Sequence, residues 1–224
     1  MDALQAIADE HKLVIVEDAA QGLGSKFKGK QAGTFGIAGT ISFYPAKNLG
    51  CLGDGGAILT NDTKMYETML MMKDHGRSHV TGDVEIWGIN SRLDNLQAAF
   101  LNAKLKRYDQ IVAERRELAA TYQELLGGLS ELRLPPAPGS EANHFDVFQN
   151  YEIEAERRDE LKVHLKEKGV GTLIQWGGKA VHQFAGLHFT QKLPYTESLF
   201  TKMLMLPMNN SLTQDDVRYV AQTI

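Results

Sequence analysis

Apolar residues along the chain alternate between helical spacing and short unbroken runs, the pattern of an α/β protein. In residues 2–11, Ala3, Leu4, Ile7 and Ala8 share one helical face, Asp2 is placed to cap it, and Gln5 sits at the reciprocal capping-box position. Leu13-Val-Ile-Val16 follows as a fully apolar run, which predicts a strand buried on both faces of a parallel sheet. A helix feeding such a strand is the second part of a strand–helix–strand crossover, so a preceding strand is expected and Met1 is expected to fall inside a larger domain. Ile37–Tyr44 and Ala57–Thr60 predict two further strands. Asp62 or Thr63 caps a helix running through Lys73, whose Met65, Met69, Leu70 and Met72 read as core filler rather than a metal or cofactor box. His75-Gly-Arg77 closes it, and residues 78–90 read as loop ending in Trp87-Gly-Ile-Asn90.

From Ser91 to Leu126 a long helical pattern repeats through Leu93, Leu96, Phe100, Ala103, Leu105, Tyr108, Ile111 and Val112. Helices of this length are often broken or bridge two domains. Gly127-Gly128 stops this one, and Pro135-Pro136 with Pro138-Gly139 marks a linker. The expected domains are therefore residues 1–126, with the long helix as connector, and a smaller α/β domain over 127–224. In the latter, Val147–Ile153 and Leu173–Trp176 read as strands, Arg157–Lys168 as a helix ended by Gly169, and Thr213 as the cap of a last helix from Gln214. That helix meets no stop signal before Ile224.

Composition narrows the class without naming a reaction. Of 224 residues, 43% are apolar and 23% charged, which is ordinary for a globular protein. A net charge of −4 with no dominant basic patch argues against nucleic acid or an anionic membrane as partner. Cys51 stands alone, so no intrachain disulfide forms and a reducing cytoplasm is the expected compartment. No apolar run approaches the roughly 20 residues a membrane-spanning helix needs, and Asp2, Asp9 and Glu10 lie where a signal peptide carries basic and apolar residues.

One stretch carries candidate chemistry: Ser42-Phe-Tyr-Pro-Ala-Lys47-Asn-Leu-Gly-Cys-Leu-Gly-Asp-Gly-Gly56. Lys47 is set among Ile41, Phe43, Tyr44, Leu49 and Leu52, with no charge until Asp54. A desolvated ammonium gives up its proton more readily, which an imine-forming lysine requires. The glycines at 50, 53, 55 and 56 permit unusual backbone angles and close approach of a ligand, and a tight turn entering the next strand accounts for them equally well. Upstream, Glu17-Asp18-Ala-Ala-Gln21 stands at the carboxyl end of the first apolar run, where open α/β sheets bind ligands. Taken singly these residues have plain structural readings: Asp18 as a helix cap or ion pair, Ser42 as a strand-end hydroxyl, Gln21 as a surface amide, Asn90 as a helix cap, Arg92 as a solvated charge. His75, His79 and Cys51 fit no zinc spacing, so no metal site is expected.

Five motifs in one order change that balance. Val16-Glu-Asp-Ala-Ala-Gln21, Ser42–Gly50, Gly53-Asp-Gly-Gly56, Asp74-His-Gly-Arg77 and Gly88-Ile-Asn-Ser-Arg-Leu-Asp-Asn-Leu-Gln-Ala-Ala99 together resemble the DegT/DnrJ/EryC1/StrS family of pyridoxal 5'-phosphate (PLP)-dependent sugar aminotransferases. The resemblance covers about the latter two-thirds of a family member. It implies the type I PLP-dependent aminotransferase fold, here the C-terminal part of the large domain plus a small α/β domain. It also implies transfer of an amino group, with glutamate as donor, to a nucleotide-linked keto sugar. By the same resemblance Lys47 is the residue that binds PLP covalently and then moves the proton. Asp18 pairs with the pyridine nitrogen, Gln21 lies near the ring, and Ser42 donates to the phosphate. Asn90 reaches the phosphate in the neighbouring subunit of a homodimer, with Arg92 in support. His182 reads as structural, although relatives carry a histidine nearby that faces the substrate. The family's phosphate-binding turn and ring-stacking aromatic fall upstream of Met1. Ile174-Gln-Trp-Gly-Gly-Lys-Ala-Val-His-Gln183 replaces the family's commoner Tyr-Pro stretch. The alternative to an enzyme is therefore a truncated remnant that dimerises without retaining PLP.

Overall fold

A computed structural model describes all residues, Met1–Ile224. In chain order the elements are α1 (Asp2–His11), β1 (Val16–Asp18), β2 (Lys26–Phe27), β3 (Lys30–Gln31), β4 (Ala38–Ser42), β5 (Gly56–Leu59), α2 (Thr63–Met72), α3 (Asn95–Leu105), α4 (Tyr108–Leu126), β6 (Leu132–Arg133), β7 (His144–Phe145), β8 (Tyr151–Ala155), α5 (Arg158–Glu167), α6 (Pro194–Lys202), β9 (Met203–Leu206) and α7 (Gln214–Thr223). No helix is long and apolar enough to cross a membrane.

The chain divides into two compact units, residues 1–111 with 142–147 and residues 112–141 with 148–224. The division falls inside α4 and is discontinuous in sequence. The cause is β7, which leaves the second stretch of chain to pair antiparallel with β2, His144 opposite Phe27 and Phe145 opposite Lys26. The periodicity from 91 to 126 resolves into two helices, because Lys106 and Arg107 interrupt the helix between α3 and α4. Leu126 ends α4 directly before Gly127-Gly128.

In the first unit, β1 and β4 are parallel, with Val16, Glu17 and Asp18 opposite Ala38, Gly39 and Thr40. The returning β5 is antiparallel to β4, so this three-stranded sheet is mixed. The expected buried strand at 13–16 is displaced: pairing begins at Val16, and Leu13, Val14 and Val16 are all exposed. The reason is that β1 pairs on one side only. Asp2 caps no helix here; it pairs with Lys28 instead. In α2, Asp62 is the cap, its Oδ1 accepting from the Met65 amide at 2.8 Å. Met65, Met69 and Leu70 are half-buried while Met72 is exposed.

The second unit is built around β6–β8–β9, an antiparallel sheet whose central strand buries Tyr151, Ile153 and Ala155 on one face. Against that face pack Leu118, Ala119, Tyr122 and Leu126 of α4, Leu165 of α5 and Val217, Val220 and Ala221 of α7. The strand forecast at 147–153 begins four residues later, since Val147 and Phe148 are buried without ladder partners and Phe148 has a positive φ of 48°. The strand forecast at 173–176 reduces to a single bridge from Leu173 to Met205, after which the chain turns through short 3₁₀ segments. Thr213 caps α7 as expected, in a reciprocal box with Asp216.

Candidate active site

Asp18 is the last residue of β1 and Ser42 the last of β4; because these strands run parallel, both stand at the same edge of the sheet. Asp18 is exposed, and its Oδ1 accepts from the Ala20 amide at 3.1 Å. Gln21 follows in the same turn and is exposed. The Ser42 hydroxyl accepts from the Tyr44 amide at 3.2 Å, which opens the turn leading to Lys47. That turn is closed by the Lys47 amide donating to the Tyr44 carbonyl at 2.8 Å. The Lys47 side chain is half-buried and makes no ion pair or hydrogen bond within the chain.

The loop carrying Lys47 is fastened at its neck. The Phe43 amide donates to the Gly55 carbonyl and the Cys51 amide to the Phe43 carbonyl, each at 2.8 Å. The Cys51 sulfur lies 3.0 Å from the carbonyls of Phe43 and Gly53. None of the glycines at 50, 53, 55 and 56 has a positive φ, so the loop does not need them for left-handed backbone. Three of them are needed for self-contact. A Cβ on Gly50 would lie 2.5 Å from the Pro45 carbonyl oxygen, one on Gly55 3.0 Å from the Cys51 sulfur, and one on Gly56 2.8 Å from the Ile41 carbonyl oxygen. The chain folds tightly against itself there, and of the two readings of these glycines the tight turn is the one the contacts carry.

Glu17 has a function the sequence did not reveal. Its carboxylate accepts from the amides of Gly33 (2.8 Å), Gly36 (2.9 Å) and Phe35, pinning the 33–36 turn beneath β1. Charge-assisted bonds to backbone amides are among the stronger ones available, so Glu17 fixes the strand end from which Asp18 emerges.

Asn90 and Arg92 lie apart from the sheet edge in sequence and are organised by the Asp74-His-Gly-Arg77 motif. Asp74 bridges Asn90 through the backbone, the His75 amide donates to the Ile89 carbonyl at 3.0 Å, and the Arg92 guanidinium pairs with the Asp74 carboxylate. Two glycines allow this interlock: a Cβ on Gly76 (φ 79°) would fall 1.7 Å from the Ile86 oxygen, and one on Gly88 2.2 Å from the Gly76 nitrogen. Asn90 and Arg92 are both exposed. Arg92 is thus an ion-pair partner of Asp74 as well as a candidate ligand.

His182 belongs to the other unit. Its side chain is only 6% exposed, and its Nε2–H donates to Glu197 Oε1 at 3.1 Å. Glu197 also accepts from the Leu193 amide at 2.9 Å; that bond first and His182 second hold its carboxyl below the usual glutamate range. No group of three or more His, Cys, Asp or Glu side chains is placed to hold a metal ion.

Two side chains on α3 escaped the sequence reading. Gln97 Oε1 accepts from the Leu52 amide at 2.7 Å, and Lys104 Nζ donates to the Gly50 carbonyl at 2.9 Å. They are two helical turns apart and therefore share a face, the one signal in the sequence that could have joined them.

Comparison with solved structures defines the class. The fold matches an aminotransferase of Brucella abortus, with a TM-score of 0.90 and 38% identity over 99% of this chain and 59% of that one. It also matches DesV of Streptomyces venezuelae, with a TM-score of 0.91 and 36% identity over 100% of this chain and 60% of that one. The sequence pattern of the DegT/DnrJ/EryC1/StrS aminotransferase family matches residues 1–224, and the chain belongs to that family. Among its relatives, a pleiotropic regulatory protein of Geobacillus stearothermophilus is 40% identical over all of this chain and 60% of its own length. The dTDP-3-amino-3,4,6-trideoxy-alpha-D-glucose transaminase of Streptomyces venezuelae is 38% identical over all of this chain and 59% of its own length. The chain therefore spans about 60% of the length of the relatives it matches.

Proposed function

We propose that this chain supplies the lysine-bearing edge of a PLP-dependent transaminase that moves an amino group from glutamate onto the keto carbon of a nucleotide-linked deoxysugar, in the making of amino sugars such as those of surface polysaccharides. Family membership and the names of its relatives support the reaction class; besides the Streptomyces enzyme they include a UDP-N-acetyl-3-dehydro-alpha-D-glucosamine aminotransferase and a GDP-perosamine synthase. The observation that carries the reading is the sheet edge itself. A carboxylate (Asp18) and a hydroxyl (Ser42) end two adjacent parallel strands, and the loop leaving the second strand presents a lysine amine with no internal partner.

That donor set fits PLP: an amine for its aldehyde, an acid for its ring nitrogen and a hydroxyl for its phosphate. PLP, when bound, supplies an electron sink that weakens a C–H bond next to nitrogen. Lys47 would hold the cofactor through its Nζ, and as a free amine it would serve as the base that moves a proton at the reacting carbon. Asp18 keeps a proton on the ring nitrogen, so negative charge developing at the reacting carbon has somewhere to go. Ser42 would donate to the phosphate and Gln21 would lie near the ring. In a homodimer, Asn90 contacts the phosphate held by the partner subunit, with Arg92 fixing its segment through Asp74. His182, anchored by Glu197, is a candidate contact for the substrate. A cytoplasmic location belongs to the same reading.

Reduction with borohydride in the presence of PLP, followed by peptide mapping, tests this. The expected adduct is on Lys47 and disappears in Lys47→Ala; an adduct confined to other lysines rejects the assignment. The alternative is a truncated remnant of this fold that dimerises without retaining PLP. Titration with PLP separates the two, since saturable binding with a lysine-linked absorbance disposes of the remnant.

A further inference from the structure

The Lys47 turn is held from outside by α3 and by the Val147 carbonyl. Gly50 lies so close to Tyr44 and Pro45 that no side chain fits between them, so the start and end of the turn 44–50 move together. The Gly50 carbonyl points outward to Lys104 Nζ at 2.9 Å, and the Leu52 amide to Gln97 Oε1 at 2.7 Å. Asn48, buried next to Lys47, donates from Nδ2 to the Val147 carbonyl at 3.3 Å. A lysine that served only the helix would extend into water from the last turn of α3, where its charge already suits the dipole. Lys104 instead lies partly buried against the loop, its ammonium 5.6 Å from the centre of the Phe100 ring. Burial pushes it below the usual lysine range, with the Cys51 thiol acting the other way. Holding a partly desolvated cation costs free energy; the Gly50 carbonyl and the Phe100 face are what offset it here.

We propose that Lys104 and Gln97 are positioning residues for Lys47: together they clamp the carbonyl of Gly50 and the amide of Leu52 to α3 and so fix the turn from which the Lys47 amine projects. Neither residue touches the reacting atoms. This rests on the reading of Lys47 given above only for its importance to catalysis; the clamp itself is a property of the chain alone.

The test uses the whole chain without added cofactor. Competitive acetylation with acetic anhydride and peptide mapping reports the reactivity of Lys47 relative to Lys64 of α2, and hydrogen exchange reports the amides of Cys51 and Leu52. In Lys104→Met, loss of one bond to a charged donor is expected to speed exchange at those two amides about tenfold. The Lys47-to-Lys64 ratio should change by about threefold as the turn loosens. Lys104→Arg, which keeps a cationic donor, should restore both. Gln97→Leu should reproduce the effect at Leu52, and it carries the test if Lys104→Met does not fold. An unchanged Lys47 ratio and unchanged exchange at 51–52 in folded Lys104→Met or Gln97→Leu overturns the clamp, even if thermal stability falls, because a helix-end role lowers stability without reaching the loop. Borohydride mapping in a parallel sample separates the two claims. A PLP adduct on another lysine defeats the functional reading and leaves the clamp standing; an adduct on Lys47 with no response to the variants does the reverse.

Discussion

The two units solve the problem of holding a backbone in place by different means. The second has one continuous apolar core in which Tyr122, Tyr151, Phe148, Leu126, Ile153 and Leu165 are fully enclosed, with Tyr122 and Tyr151 stacked at 4.7 Å. The first buries Ile41, Leu49, Cys51, Leu101, Tyr108 and Val147 together with Ala8, Ala19 and Ala38. To that burial it adds backbone amides caught by side chains, as at Glu17 and Gln97, and glycines that let strands and loops touch. Hydrophobic burial is non-directional and strong in sum, which suits a unit whose task is to be stable. Hydrogen bonds and close backbone contacts are directional, which suits a unit that carries Asp18, Ser42 and Lys47 at strand ends and in a turn. The same contrast shows in ionisable groups: the second unit buries one cation completely, whereas the first keeps its candidate acid exposed at an edge.

The most damaging change on this view lies in the second unit, at Arg115. Its guanidinium, 3% exposed, donates to the carbonyls of Phe148, Gln149 and Met208 and to Asn210 Oδ1. Arg115→Met leaves these acceptors stranded, and we expect a loss of about 3 kcal/mol or more in urea unfolding. A loss below 1 kcal/mol would show that apolar burial holds the second unit without this anchor. Next comes Gly76→Ala in the first unit. Here a Cβ collides with the Ile86 oxygen at a φ of 79°, an expected cost of about 1–3 kcal/mol. Limited proteolysis should show that cost locally, as cleavage in 78–92, with the second unit's core still protected. Simultaneous loss of both would mean that the units do not differ in the way described.

Smaller effects sharpen the picture. Thr213 caps α7 through the Asp216 amide at 3.2 Å, and Thr213→Ala should cost about 1 kcal/mol, read as a lower thermal midpoint. Last is Glu152, on the face of β8 opposite the core, where burial pushes its carboxyl above the ordinary glutamate value of 4.5. A raised value means that the protonated form suits the fold. Its contribution is therefore complete below the unfolded value and lost as pH rises through the folded one. Glu152→Gln should flatten that part of the stability–pH curve while leaving the acid limb in place; an unchanged curve removes Glu152 as the source.

Much of the local structure around the candidate site is legible because its signals are local. A turn at Lys47 follows from Pro45 and the glycines around it, a cap at Thr213 from its neighbours, and the five motifs stand in one order. The periodicity from 91 to 126 could not show the break at Lys106-Arg107, since the apolar spacing runs on with little disturbance through α3 and α4. The strand at 13–16 was misplaced for the opposite reason. An apolar run signals burial, but which residues enter a ladder depends on the partner, and β4 pairs with Val16–Asp18. The role of Glu17 is not legible in the sequence because three amides of a distant turn define it, and none of them is near it in the chain.

The order of residues alone determined the kinds of group present and their spacing: an amine at 47, an acid at 18, a hydroxyl at 42, and glycines where the chain must touch itself. Local sterics and side-chain chemistry act over a few residues, so a sequence read in short windows displays them. Only the tertiary structure decided that Glu17 anchors the turn at 33–36, that Gly76 and Gly88 lock two motifs together, and that Lys104 and Gln97 face the Lys47 loop. Such contacts depend on which chain segments arrive at the same place, and that is set by the packing of the whole unit.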